Sequence, residues 1–250
     1  MQSLTDHTVI VAGGTANVGS FVVKALLERQ ATVVVPSRSE ERLGELREHL
    51  SKQVGETDLD RLHTVVGNLG EESERADLMQ RIFGEVGTPD AVLASLGDFV
   101  TTPSLLDASA DDLRRAFEGY VVSNFVVART FLPVLKDSEG TYVLVQGPLA
   151  FEPYPGFGAD LISIATAAQH MLFRALSQEL DKSRARVVEL VVHALIRDRR
   201  TQPSSPLPGE AIGAYAAHLL FGSDEGVHGW SIQLRSLDQL AEVGLDTENL

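Results

Sequence analysis

Short apolar runs alternate with longer amphipathic stretches along almost the whole sequence. The apolar runs are rich in β-branched residues, which is typical of strands buried on both faces; they occupy residues 8–12, 32–35, 62–66, 91–94, 142–145, 187–192 and 230–234. Helical spacing of apolar residues fills the intervals, at residues 17–29, 39–54, 72–85, 110–136, 160–182 and 210–222. Because connections between parallel strands are right-handed, this alternation predicts an α/β fold: a Rossmann-type, doubly wound parallel sheet of about seven strands with helices on both faces.

The length fits one domain. The chain has 250 residues, and α/β domains of ~250 residues commonly form one unit. We therefore predict a single domain over residues 1–250. The stretch 194–209, which contains three prolines, is the one long irregular segment, and it is predicted to be a functional or mobile loop.

Composition excludes several classes of protein. Lysine and arginine number 21 against 35 aspartate and glutamate, a net charge of −14, which disfavours nucleic acid and anionic membrane as partners. No apolar run is long enough to span a bilayer, and the polar first residues do not resemble a secretory signal, so we expect a cytoplasmic protein. With no cysteine and no histidines at ligand spacing, we predict no metal site.

A glycine-bearing segment joins the first predicted strand to the first predicted helix. Glycine there allows a tight turn and close approach of a pyrophosphate, and the helix N-terminus supplies free N–H groups. Asn17 or Ala16 stands where a middle glycine is usual, and asparagine tolerates the backbone that such a turn requires. The alternative is a tight turn without a ligand. The predicted cofactor contacts here are Gly13, Thr15, Ala16, Asn17, Val18 and Gly19.

The end of the second strand suggests which dinucleotide would bind. An acidic residue there would bond the ribose of NAD(H), but the chain has Ser37, Arg38 and Ser39. A guanidinium and two hydroxyls suit the 2′-phosphate of NADP(H). We therefore predict NADP(H) rather than NAD(H). The alternative is an ordinary surface arginine near a helix start.

These segments together resemble the short-chain dehydrogenase/reductase family. The resemblance rests on segments 13–19, 37–39, 125–133 (FVVARTFLP), 176–180 (LSQEL) and 221–225 (FGSDE). It implies a seven-stranded parallel sheet and hydride transfer between NAD(P)(H) and a carbonyl or alcohol. It also implies further cofactor contacts after the third and fourth strands, at Asn68, Leu69, Ser95 and Gly97.

The family's catalytic residues do not carry over. Its members use a tyrosine as general acid/base, a lysine four residues later that lowers the tyrosine pKa, a serine and an asparagine. The matching positions hold Ile162, Thr166, Gly147 and Tyr120, respectively. None of the four tyrosines in the chain is followed by a lysine four residues later. The resemblance thus implies a divergent member that lacks the standard proton-transfer set.

Other polar residues are candidates for acid/base chemistry. They are Tyr120, Asp160 and His193. Two of them have an ordinary structural alternative: Asp160 as a helix cap and His193 as a loop residue after a buried strand. Arg197, Arg199 and Arg200 could hold an anionic group or simply be solvated. The helices near 110–136 and 160–182 are apolar on many sides, and the resemblance implies that they pair across a two-fold axis, so we expect a homodimer or homotetramer.

Three functions remain open at this point. The first is a divergent NADP(H)-dependent oxidoreductase acting on a small carbonyl or alcohol. The second is a non-catalytic sensor or scaffold that binds NADP(H) or a metabolite. The third is a non-redox enzyme, such as a cyclase or lyase, that reuses the cleft. Fold alone does not choose between them, because function depends on the site.

Overall fold

A parallel sheet forms the centre of the molecule. The structure is a computed structural model that describes residues 3–154, 156–194, 196–197, 200–201, 205–222 and 227–247. The sheet strands are β1 (Thr8–Ala12), β2 (Thr32–Ser37), β3 (Leu62–Val66), β4 (Ala91–Ala94), β5 (Thr141–Gln146), β6 (Arg186–Val192) and β9 (Ser231–Leu234). Their spatial order is β3-β2-β1-β4-β5-β6-β9, and every pairing is parallel. The predicted doubly wound sheet of about seven strands is confirmed.

Helices cover both faces of this sheet. They are α1 (Asn17–Leu27), α2 (Glu40–Ser51), α3 (Glu56–Leu59), α4 (Arg75–Val86), α5 (Ala110–Phe117), α6 (Ser123–Ser138), α7 (Asp160–Glu179), α8 (Gly209–Phe221) and α9 (Asp238–Glu242). One core lies between the sheet and α1, α2 and α8, and the other between the sheet and α4, α6 and α7. None of the helices in the described ranges is long and apolar enough to cross a membrane.

The strands are continuously apolar because both of their faces are buried. In β1, Val9 and Val11 enter one core, whereas Ile10 and Ala12 enter the other. Successive side chains of a strand point to opposite faces, so a strand between two helical layers needs apolar residues at every position.

Helices α1 and α8 pack closely because glycine removes a side chain at their contact. A Cβ on Gly213 would collide with the carbonyl oxygen of Phe21, and one on Gly209 would collide with the Phe21 ring. This close packing holds the first helix in place behind the turn that precedes it.

Three local features differ from the sequence expectations. The helix predicted over 110–136 is interrupted by a π-helical turn, Glu118–Val122, whose displaced carbonyls accept bonds from the side chains of Ser123 and Asn124. The stretch predicted to be irregular contains a two-stranded antiparallel ribbon, β7 (Ile196–Arg197) with β8 (Arg200–Thr201). The short helices α3 and α9 were not predicted, because one or two turns are too short for a periodic pattern.

Candidate functional site

A cavity of about 360 Å³ opens at the carboxyl ends of β1, β2, β3 and β4. Between β1 and β4 the strand order reverses direction, and open α/β sheets bind ligands outside the carboxyl ends of strands at such a point. Its volume lies within the range of ~300–1,000 Å³ that is typical of ligand pockets.

The turn after β1 depends on two glycines. Gly13 has a φ of +86°, which is a left-handed conformation that glycine adopts without steric cost. A Cβ at Gly13 would collide with the carbonyl oxygen of Ser95, and a Cβ at Gly19 would collide with the carbonyl oxygen of Gly13. The space that these absent side chains leave brings the loop after β1 against the loop after β4.

The start of α1 is open to an anion. Ala16 is its N-cap residue and forms no side-chain cap bond, so the first N–H groups of the helix keep their donor capacity. Asn17 has a φ of +33°, as its predicted role in the turn requires. Gly13, Thr15 and Ala16 line the cavity. The other three predicted contacts of this segment, Asn17, Val18 and Gly19, form the start of α1 and are not among the lining residues.

Two arginines and a serine line the cavity where β2 ends. Ser37 and Arg38 contribute to it as predicted, and Arg42 joins them from one turn into α2. Ser39 is placed differently: its hydroxyl accepts a bond from the backbone N–H of Arg42 at 3.2 Å and caps α2. The cap holds α2 in the orientation that brings Arg42 beside Arg38.

The loops after β3 and β4 complete the cavity. Asn68, Leu69, Ser95 and Gly97, which the resemblance implies as cofactor contacts, all line it. The side-chain oxygen of Asn68 accepts the N–H of Gly70 at 3.1 Å, which closes the loop after β3. The two loops therefore provide a wall opposite the arginines.

Further lining residues carry weaker sequence signals. They are Pro36, Arg42, Gly67, Gly70, Glu71, Leu96, Asp98, Arg115, Glu118, Gly119 and Ser123. Arg42 could have been found, because it lies in the first turn of the helix that begins just after Arg38. Gly119 and Ser123 could not, because the π turn that displaces them leaves no mark in helical spacing.

Comparison with known proteins decides the family. The model of the short chain dehydrogenase family matches residues 7–196, which include the glycine turn and the first six strands. The chain belongs to the short-chain dehydrogenase/reductase family. A Bacillus subtilis (strain 168) protein named uncharacterized oxidoreductase DltE is similar to it, with 26% identity over 238 residues that cover 90% of this chain and 87% of that protein.

Solved structures of short-chain dehydrogenases/reductases share the fold. A family member from Mycobacterium ulcerans matches with a TM-score of 0.79 at 20% identity, over 93% of this chain and 89% of that one. L-sorbose reductase from Gluconobacter frateurii, complexed with NADPH and L-sorbose, matches with a TM-score of 0.78 at 14% identity, over 94% and 97% of the chains. The RhlG/NADP complex of Pseudomonas aeruginosa matches with a TM-score of 0.78 at 20% identity, over 93% and 96%.

The family's tyrosine and lysine positions, as predicted from the sequence, are filled by packed side chains. Ile162 is 3% exposed and Thr166 is 2% exposed. The Thr166 hydroxyl donates to the carbonyl oxygen of Ile162 at 2.7 Å. Neither side chain offers a titratable group. At the predicted serine position, Gly147 faces open space.

The three candidate acid/base residues lie apart. Tyr120 lies within the π turn, where burial and, to a smaller degree, the charge of Asp98 raise its pKa to about 12; a general acid/base near neutrality needs the opposite shift. Asp160 is the first residue of α7, a position where the helix dipole favours a carboxylate. His193 follows β6 and lines a separate pocket, where Nε2 lies 2.8 Å from Gln233 Oε1 and Nδ1 lies 3.4 Å from an Arg235 nitrogen.

A buried carboxylate lies beneath the ends of β5, β6 and β9. Glu189 is fully buried and accepts bonds from the side chains of Gln146 and Ser231. His170 Nδ1 on α7 lies 2.8 Å from Oε2 of Glu189, the same oxygen that accepts the bond from Ser231. Burial raises the pKa of Glu189 above 4.5, while the Ser231 bond and His170 act in the lowering direction. Sequence reasoning missed this group, because a glutamate within an apolar strand cannot be assigned a partner from spacing.

Within the described residues, no three histidine or acidic side chains are placed to hold a metal ion. Of the arginine cluster singled out in the sequence, Arg199 lies outside the described residues. Arg197 and Arg200 belong to the ribbon β7–β8.

Proposed function

We propose that this family member binds NADP(H) in the cavity at the ends of β1–β4 and is an oxidoreductase for a small carbonyl or alcohol. One observation carries the proposal: the glycine turn, Ala16 at the uncapped start of α1, Arg38 just before α2 and Arg42 within α2 line the same cavity. L-sorbose reductase, which shares the fold, is complexed with NADPH, and the RhlG structure is a complex with NADP.

The residues present fit such a cofactor. The side chains missing at Gly13 and Gly19 leave the backbone free to approach a pyrophosphate, which the start of α1 would bind. Arg38 and Arg42 would hold the 2′-phosphate, for which a planar guanidinium is suited. In the part of the chain that the structure describes, neither guanidinium forms an ion pair that would compete with a phosphate. When bound, the nicotinamide supplies the hydride, and the chain's role is to bind and orient.

A second candidate function is a non-catalytic NADP(H) sensor. Buried Ile162 and Thr166 favour it, since neither can transfer a proton at the position where the family resemblance implies tyrosine and lysine. Tyr120 does not replace that tyrosine, because its pKa is raised to about 12. The two functions share the same cofactor cavity and differ in whether turnover follows binding.

Titration with NADPH and NADH tests the cofactor assignment. We expect Arg38→Ala to weaken NADPH roughly 10–100-fold, the value of a charge-assisted contact, and to leave NADH unchanged, because only NADPH carries the 2′-phosphate. Arg114→Ala is the control, since Arg114 pairs with Asp111 on exposed α5 and does not line the cavity. Equal loss of both cofactors would contradict the NADP(H) preference.

Turnover then distinguishes the two functions. NADPH oxidation is followed by absorbance with a panel of aldehydes and ketones, using protein already shown to bind NADPH. Substrate-dependent oxidation supports the oxidoreductase, and tight binding without oxidation across the panel supports the sensor.

A further inference from the structure

A second pocket, of about 380 Å³, lies at the carboxyl ends of β5, β6 and β9. In the part of the chain that the structure describes, it shares no lining residue with the cofactor cavity. Its lining residues are Pro148, Phe151, Glu152, Tyr154, His193, Gln233 and Arg235. Among the described residues they combine one permanent cation, two aromatic rings and an imidazole, and a site built this way recognises a particular kind of ligand.

Most N–H donors of Arg235, the cation of this pocket, are not used within the described residues. Arg235 lies directly after β9, and among the described residues its side chain has one polar contact, with His193 Nδ1 at 3.4 Å. It forms no ion pair with any residue in the described ranges, although the protein carries a net charge of −14. A guanidinium has five N–H donors in a fixed fork that matches a carboxylate. Most of that fork is therefore available to a ligand.

A chain of hydrogen bonds fixes the orientation of His193 beneath this cation. Ser231 donates to the buried carboxylate of Glu189, and the side-chain amide of Gln233 donates to Ser231 Oγ at 3.4 Å. The Gln233 oxygen is then the group that faces His193 Nε2 at 2.8 Å, so Nε2 carries the proton. This leaves the lone pair of Nδ1 directed at Arg235.

The backbone at Arg235 is also held in place. Gln239 of α9 accepts the N–H of Arg235 at 2.7 Å and donates to the carbonyl oxygen of Gln233 at 2.9 Å. The arginine is thus anchored from both sides, by α9 at its backbone and by His193 at its tip. Preorganisation of this kind lowers the entropic cost of binding.

Aromatic side chains provide the apolar part of the pocket. Phe151 and Tyr154 are each 46% exposed. Phe151 is steadied by an edge-to-face contact with His170, with ring centroids 4.9 Å apart. Glu152 lines the same pocket, and its negative charge disfavours a ligand with a second anionic group.

We infer that this pocket binds a small monocarboxylate with an aromatic or apolar body, its carboxylate held by Arg235 and its body against Phe151 and Tyr154. If the proposed oxidoreductase function holds, the substrate class is a monocarboxylate of this kind that also carries the carbonyl or alcohol group that exchanges the hydride, and this last step alone rests on that proposal. The binding site itself stands on the pocket and its residues.

Benzoate and benzamide are matched probes, because they have the same shape and differ in charge. We expect calorimetric titration of the cofactor-free protein to show benzoate binding more tightly than benzamide. Arg235→Gln should weaken benzoate roughly 10–100-fold and leave benzamide unchanged, whereas Arg235→Lys should retain part of the benzoate affinity. Arg114→Gln is the control on the exposed helix α5.

The outcomes separate this site from the cofactor cavity. Arg235→Gln should bind NADPH as the unchanged protein does, and Arg38→Ala should bind benzoate as the unchanged protein does. Equal affinity for benzoate and benzamide, or undiminished benzoate binding by Arg235→Gln, would overturn the inference even if NADPH binds as proposed. If NADPH fails to bind but benzoate binds through Arg235, the pocket stands and the proposed cofactor does not.

Discussion

At the scale of single residues, several predicted cofactor positions lie at a cavity, whereas the predicted tyrosine and lysine positions carry no titratable side chain. Gly13 keeps its left-handed backbone and Arg38 its place at the cavity. The predicted tyrosine and lysine positions hold buried Ile162 and Thr166. A binding cavity can therefore be present where the predicted tyrosine and lysine positions cannot exchange a proton.

The buried Glu189 makes stability depend on pH. Because burial raises its pKa above 4.5 in the folded protein, the folded state binds the proton more tightly than the unfolded state. This contribution to stability is fully present below pH 4.5 and is lost as pH rises through the folded pKa. We expect the unfolding free energy of Glu189→Gln, relative to the unchanged protein, to increase as pH rises from 4.5 towards neutrality.

Urea denaturation over that pH range measures how the relative unfolding free energy of Glu189→Gln changes with pH. The groups facing Glu189 are Gln146, Ser231, His170 and, at longer range, Arg174, and all are kept in the variant. Rearranged hydrogen bonds to the uncharged partners Gln146 and Ser231 add a cost that does not vary with pH. The readout is therefore the slope with pH of the difference in unfolding free energy between the two proteins. Glu179→Gln, at the exposed end of α7, is the control. Parallel profiles for the unchanged protein and Glu189→Gln would show that the carboxylate is not desolvated.

At the scale of elements, the apolar pattern predicts the strands closely. Thr8–Ala12, Leu62–Val66 and Ala91–Ala94 have the predicted bounds, because strands buried on both faces allow little choice of residue. The π turn within the predicted helix 110–136 was missed, because one inserted residue changes neither composition nor hydrophobicity. The ribbon β7–β8 was missed because two-residue strands carry no periodicity.

The cofactor cavity, too, could be predicted from the sequence only in part. Motifs that act through their own backbone, such as the turn at Gly13, were placed from sequence. Ser39 was predicted as a ligand contact, but its hydroxyl caps α2, and a serine at a helix start has both roles open to it in sequence. Asp98 and Arg115 reach the cavity only because the loop after β4 and helix α5 pack beside it.

The contact between α1 and α8 has no room for a methyl group. A Cβ on Gly213 would collide with the backbone of α1 at Phe21, so Gly213→Ala should lower the unfolding free energy by about 1–3 kcal/mol, as overpacking does. Gly84→Ala in α4 is the matched change, since nothing lies within 4 Å of that position. It should raise the unfolding free energy by about 0.5–1 kcal/mol. Urea denaturation measures both, and equal effects would contradict the close packing.

At the scale of the whole molecule, apolar side chains remain exposed on the two long helices. Phe125 on α6 is 43% exposed, and Ile164 and Met171 on α7 are 41% and 64% exposed. Ile164 and Met171 are seven residues apart and so share one face of α7. Other residues of these helices named above, such as Ile162, are buried within the subunit. The outward residues support the predicted self-association, and the cytoplasmic location remains a prediction.

Light scattering of the eluted protein tests this assembly. We expect a mass of two or four times 27.0 kDa at micromolar concentration. Ile164→Glu should shift the mass towards one subunit, because it places a charge in the apolar contact. Leu106→Glu is the control, since Leu106 is 95% exposed and lies outside both helices. A mass of 27.0 kDa for the unchanged protein would remove the prediction.

The burial of Ile162 and Thr166 also limits any attempt to introduce the family's catalytic residues by mutation. Gly147 would accommodate an added hydroxymethyl group, because nothing lies within 4 Å of its Cβ position. A phenol and an ammonium at the two helix positions would instead enter a dense interior, where added volume strains the core and an unpaired charge is costly. An engineered catalyst on this scaffold would thus need neighbouring side chains trimmed first, and grafting residues by family position alone would not suffice.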